Sequence, residues 1–250
     1  MAALWLCLLL WSMQTFALMV GTYSTPPFSM SEDGEDIGLA TEAVRNLLHK
    51  SGIQDYKIIS YPLARGLHEL RSGRIDIYYP YVAEIEAYED DFVLIGPISK
   101  YRVALFVRRD YRNEVSLTAM SKLVLGAERG SIGDMVLQKN HIHIEKATKE
   151  ISCLTMVLAE RISACAMGTL PGTYVAAINN IYDELRYVET GEYANMYVAL
   201  RSDLPAELIQ KIQEAFTKLK QENYFEAQQL DYEKKFQLFI KSLKTGKPPV

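Results

Sequence analysis

The sequence predicts an α/β fold with mainly parallel sheets. Three observations carry this. Strand-like and helix-like segments alternate along the body of the chain, a long amphipathic helical pattern begins at Pro205, and the composition is that of a globular protein with 49% apolar and 23% charged residues. That balance excludes a disordered chain, and 250 residues suffice for one large domain or two small ones.

The elements follow in order. Residues 2–10 are uninterruptedly apolar, and Thr15-Phe16-Ala17 approximates a small-x-small cleavage site, although no Lys or Arg precedes the run. This reads as a signal peptide cleaved near Ala17, because a strand-like run, 18–23, begins at once and leaves no linker for a retained anchor. Further strands are expected at 56–61, 74–81, 103–108, 122–127, 141–147, 162–167, 186–189 and 196–201. Leu39, Ala43, Val44, Leu47 and Leu48 form one helical stripe ended by Ser51-Gly52. Leu63, Leu67 and Leu70 make a second stripe, and Ile151, Leu154, Val157 and Leu158 a third. From Pro205, Leu208, Ile209, Ile212, Phe216 and Leu219 mark a long helix, with more helix to about Leu243 and a frayed tail at 244–250.

Net charge of −4 and the absence of a dense basic run argue against nucleic acid, since Arg108-Arg109 with Arg112 is too short for a phosphate track. With the leader removed, two cysteines remain. An oxidising compartment would let Cys153 and Cys165 pair, but their places on a helical stripe and in an apolar run favour two separate buried thiols. His141, His143 and Glu145 alternate and would share one strand face, a conceivable metal triplet that a polar outer face explains equally well. Gly-x-Ser-x-Gly, His-Glu-x-x-His and Cys-x-x-Cys are all absent, so no catalytic constellation, metal centre or cofactor is expected.

A series of short blocks carries a resemblance. They are Gly21-Thr22-Tyr23 with Pro26-Pro27-Phe28-Ser29, Tyr61-Pro62-Leu63-Ala64-Arg65-Gly66, Leu70-Arg71-Ser72-Gly73-Arg74-Ile75-Asp76 and Gly96-Pro97-Ile98. Gly126-Ala127-Glu128-Arg129-Gly130-Ser131 and Glu160-Arg161-Ile162-Ser163-Ala164 complete it. In this order and spacing the chain resembles the extracellular solute-binding proteins of family 3, the polar amino-acid-type receptors of ABC transporters. The resemblance implies a periplasmic, monomeric, non-enzymatic protein with the two-lobed clamshell of the type II periplasmic binding proteins. Its lobes would be joined by two crossings near 99–103 and 193–198. Lobe one would comprise 18–100 plus 197–243, and lobe two 101–196. The partners it implies are a small polar ligand and either the membrane subunits of an importer or a membrane sensor.

Open parallel sheets bind ligands at the carboxyl ends of their strands, which selects the candidate residues. Tyr23 and Phe28 would supply aromatic walls, and Arg65, opening a helix after a strand, would fork onto a carboxylate. Tyr79 and Tyr81, with Tyr78, end a strand and would flank the ligand. In the second lobe Arg129 and Ser131 lie in a strand-to-helix loop laid out for anion capture by backbone N–H groups, and Thr169 lies in the turn after 162–167. Two departures from the family pattern bear on the ligand. Glu84, Glu86, Tyr88 and Glu89 stand where an Arg usually grips the α-carboxylate, and Gly168-Thr169 stands where an Asp usually takes the α-amino group. Two cations facing each other from opposite lobes, Arg65 and Arg129, would then favour a carboxylate ligand that needs no α-ammonium.

Overall fold

The structure, a computed structural model, describes residues 17–82 and 92–245. Most of the expected leader, the 84–89 segment and the last residues of the tail lie outside that range. Strands β1 (Leu18–Thr22), β4 (Tyr56–Ser60) and β5 (Ile77–Tyr81) alternate with helices α1 (Leu39–Lys50) and α2 (Leu63–Arg71), and a small hairpin of β2 (Met30–Glu32) and β3 (Glu35–Ile37) precedes α1. A strand of 17 residues, β6 (Phe92–Arg108), leads to β7 (Leu125–Glu128), α3 (Ile132–Lys139), β8 (Ile144–Ala147), α4 (Glu150–Leu158), β9 (Ala164–Gly168) and α5 (Thr169–Ile178). A second strand of 17 residues, β10 (Leu185–Arg201), returns the chain to α6 (Ala206–Gln221) and α7 (Tyr224–Thr245).

All strands except the hairpin join one eight-stranded sheet, ordered β4-β1-β5-β10-β6-β9-β7-β8. Its two flanks are parallel, β4, β1 and β5 on one side and β9, β7 and β8 on the other. The antiparallel pair β6 and β10 lies between them and belongs to both. Near one end it pairs with β5 through Tyr197–Leu200, and near the other β6 pairs with β9 through Val103–Phe106. Each flank, with the helices packed on it, is one lobe, and the two long strands are the crossings. Their ladder shifts register between Glu189 and Tyr193 and again between Met196 and Val198, where bulges loosen the pairing and twist the ribbon.

Apolar stripes explain the packing. Leu39, Val44, Leu47 and Leu48 of α1 are fully buried beside Val20 of β1, whereas Phe106, Cys165 and Leu154 form a separate cluster in the second lobe. Cys153 and Cys165 are joined in a disulfide with Cα atoms 5.8 Å apart, which corrects the expectation of two separate thiols. The segment from Thr169, expected as a turn, is helix α5. Pro171 sits in its first turn, where no intrahelical N–H is lost, and apolar residues on nearly all sides hid its period. His141 and His143 precede β8, and His141 has a left-handed φ of 56°, so the alternation assumed for the His-His-Glu triplet does not hold there.

Helix α7 straps the lobes together. It packs on α1 of the first lobe and α5 of the second. Gln229 accepts hydrogen bonds from Ser99 Oγ and Lys100 N on the crossing, both 3.2 Å, and Arg102 is ion-paired with Glu233 at 2.5 Å. Tyr101, next to these on β6, is buried, and its hydroxyl accepts the Gly168 N–H at 2.9 Å. Replacing Tyr101 with Phe leaves that N–H without a partner and is expected to cost about 1–3 kcal/mol in urea unfolding. An unchanged midpoint would show that solvent takes over the bond.

Candidate ligand-binding cleft

A cavity of about 770 Å³ opens between the carboxyl-terminal edges of the two parallel flanks. From the first lobe, Tyr23–Pro26 follow β1 and Ser60–Pro62 follow β4. From the second, Glu128–Ile132 follow β7 and Lys149–Ile151 open α4, while Tyr101 forms the floor at the crossing. Tyr23 is stacked on Tyr78 with centroids 6.1 Å apart, which fixes its ring at the edge of the cavity.

Among the described residues, the charges lining the cavity are all on the second lobe. Arg129 and Lys149 supply cations, and Glu128 and Glu150 supply carboxylates. No ion pair within the described residues neutralises any of the four. Burial raises the Glu128 carboxyl, and burial followed by the repulsion of Glu128 pushes Glu150 up to about 7. The first lobe contributes neutral groups here: phenols, hydroxyls and two proline rings.

The loop that presents Arg129 is held by its own backbone. Arg129 N donates to Ala147 O at 3.0 Å, Gly130 N to Asp134 Oδ2 at 2.9 Å and Ser131 N to Glu128 O at 3.1 Å. Ser131 caps α3, its hydroxyl accepting from Asp134 N at 3.2 Å. Burial alone would raise the Asp134 carboxyl, but the Gly130 N–H, Gln138 and Lys146 together hold it below the usual carboxylate range. The amides of Arg129, Gly130 and Ser131 therefore build the loop. The start of α4 is different, since no side chain caps it and Lys149, Glu150 and Ile151 face the cavity.

Of the residues expected from sequence, Tyr23, Arg129 and Ser131 are brought together on the cavity wall. Phe28 lies beneath it, buried and stacked on Tyr101 at 5.9 Å. Tyr79 is in the core with its hydroxyl on Thr41 Oγ1 at 3.2 Å, and Tyr81 packs edge-on against Phe92. Thr169 is buried at the start of α5 with its hydroxyl donated to Arg102 O at 3.2 Å. Arg65 is mostly exposed, 3.4 Å from Glu69 and over the Tyr61 ring, so two facing arginines do not describe this cleft. Sequence reasoning missed Lys149 and Glu150. They stand at a strand end and helix start, the same signal that selected Arg129.

No family model matches the sequence, and no curated protein matches it by sequence. Solved structures do match. The GluR0 ligand-binding core in complex with L-glutamate superposes with a TM-score of 0.72 at 14% identity, over 88% of this chain and 99% of that one. A histidine kinase sensor domain with similarity to periplasmic binding proteins gives 0.70 at 19% identity, over 86% of this chain and 95% of that one. The fold is that of the two-lobed periplasmic binding proteins. An amino acid ABC transporter substrate-binding protein from Streptococcus pneumoniae, bound to L-arginine, has the same periplasmic-binding-protein fold, with a TM-score of 0.67 at 17% identity over 87% of this chain and 94% of that one. Among the described residues no helix is long and apolar enough to cross a membrane.

Proposed function

We propose that this chain is an exported solute-binding protein that closes its lobes around a small amino-acid-like zwitterion and performs no chemistry on it. The observation that carries this reading is the cleft's paired charge, Arg129 and Lys149 beside Glu128 and Glu150, in a cavity sized for a small molecule. A ligand carboxylate would meet Arg129, Lys149 and the uncapped amides of α4, and an ammonium would meet Glu150 and Glu128. The lobes would divide at residues 18–100 with 197–243 and 101–196, and closure would flex the bulged crossings. The occupied form would deliver its ligand to an ABC-type importer or report it to a membrane sensor, as an importer's substrate-binding protein and a histidine kinase sensor domain share this fold.

A thermal-shift and calorimetry panel of amino acids, their deaminated acids and the corresponding amines tests the ligand class. Amino acids are expected to bind best. Loss of either charged group from the ligand should weaken binding by about 1.5–3 kcal/mol. Deaminated acids that bind as well as amino acids would assign the cleft to simple carboxylates and leave Glu150 without a role.

A further inference from the structure

A second cavity, about 270 Å³, lies outside the cleft, between α7, α1, the β2–β3 hairpin and α5. Its inner wall is aromatic. Tyr174 is stacked on Phe236 and Phe239 with centroids 6.2 and 6.5 Å apart and ring planes within 23° of parallel. Tyr232 completes the wall, its polar tip already spent on Pro27 O at 3.0 Å.

The rim is acidic. Asp231 is neutralised by Lys235 at 2.8 Å, but Glu32 and Glu42 make no ion pair among the described residues. Burial first, and then the field of Glu32, push the Tyr174 phenol up, and burial followed by Glu42, Tyr174 and Glu32 pushes the Tyr232 phenol up, so the carboxylates act on the same space as the rings. A third feature is independent of charge. Gln228, which lines the cavity, carries a buried Oε1 with no hydrogen-bond partner, although its amide nitrogen reaches Leu39 O at 3.4 Å. An aromatic wall, a net-negative rim and an orphan acceptor all favour a cation that can donate hydrogen bonds.

We propose that this seam is a second ligand site for a small organic ammonium ion, whose N–H groups face Glu32, Glu42 and Gln228 and whose apolar part lies against Tyr174, Tyr232 and Phe236. Since Tyr174 belongs to the second lobe and the acids to the first, the occupant bridges the two lobes at a place remote from the cleft. Such a ligand would act on closure without competing for Arg129 or Glu150.

The probe is n-butylammonium, with 1-butanol as its neutral counterpart, titrated into the intact protein and followed by calorimetry and by tyrosine and phenylalanine ring signals in NMR. Saturable binding of the ammonium is expected, about tenfold or more tighter than the alcohol. The double variant Glu32→Gln with Glu42→Gln should lose most of that preference. Tyr174→Leu, which keeps apolar volume and removes the ring, should weaken binding while its thermal melt reports whether the fold is kept. Glu150→Gln reports any binding of the probe in the cleft instead. Equal binding of alcohol and ammonium, absence of saturation at millimolar concentration, or a loss confined to Glu150→Gln would each overturn the proposal, and the last would place the cation in the cleft.

Discussion

Replacing Glu150 with Gln is expected to weaken zwitterion binding about a hundredfold at about pH 8 and to flatten its pH dependence, because the substitution keeps shape but removes the charge facing the ammonium. The pH profile carries the sharper information. In the ligand-free protein Glu150 titrates near 7, raised by burial and then by Glu128, and a bound ammonium would draw it back toward ordinary carboxylate values. Association below about pH 7 must then release a proton, so affinity falls as pH falls through 7, approaching tenfold per unit. The same group acts oppositely on folding. Its folded pKa lies above the reference 4.5, so the stability it contributes is fully present below 4.5 and is lost as pH rises toward 7. Calorimetry across this window in wild type and Glu150→Gln separates the two effects. A wild-type affinity that does not change with pH would remove Glu150 from the ligand contacts.

The second large effect is expected at Gly133. It lies in the first turn of α3, where a Cβ would collide with the carbonyl oxygen and carbon of Ala166 on β9. Both partners are backbone, and β9 is paired on either side by β6 and β7, so no rotamer change relieves the overlap. Gly133→Ala should cost about 3 kcal/mol and lower Tm by about 6–12 °C. Binding should weaken as well, since α3 moving away from β9 carries Ser131 and the Arg129 loop with it. A Tm unchanged in differential scanning calorimetry would mean that α3 has slack to shift and does not fix the loop.

The sequence made most elements legible because their periods were clean. The α1 stripe from Leu39 to Leu48 and the alternation of strand and helix match the structure. What failed did so for identifiable reasons. Residues 190–195, which include Thr190, Glu192 and Asn195, are polar and mixed in exposure along the crossing, so one long β10 read as two short strands. The β2–β3 hairpin was signalled only by Asp33-Gly34, both with positive φ, without long flanking alternation. Position after a strand placed Tyr23 and Arg129 on the cavity wall. It did not reveal which tyrosines point inward: Tyr78, Tyr79 and Tyr81 are all buried, because β5 is an inner strand covered on both faces. Glu69, an acid four residues on from Arg65, does sit beside it, a contact made by the i,i+4 geometry of α2.

The shared pair of long strands also governs when the molecule can come into being during synthesis. The first lobe's sheet has its outer strands by Tyr81, yet its next strand inward is β10, which is the last strand made. The second lobe likewise has β7, β8 and β9 in hand by Gly168, with β9 on one side of β6, while β6 still lacks β10 on the other. The second lobe therefore waits for Leu185–Met196 and the first for Val198–Arg201 of the same late strand, which ties the completion of both halves to β10.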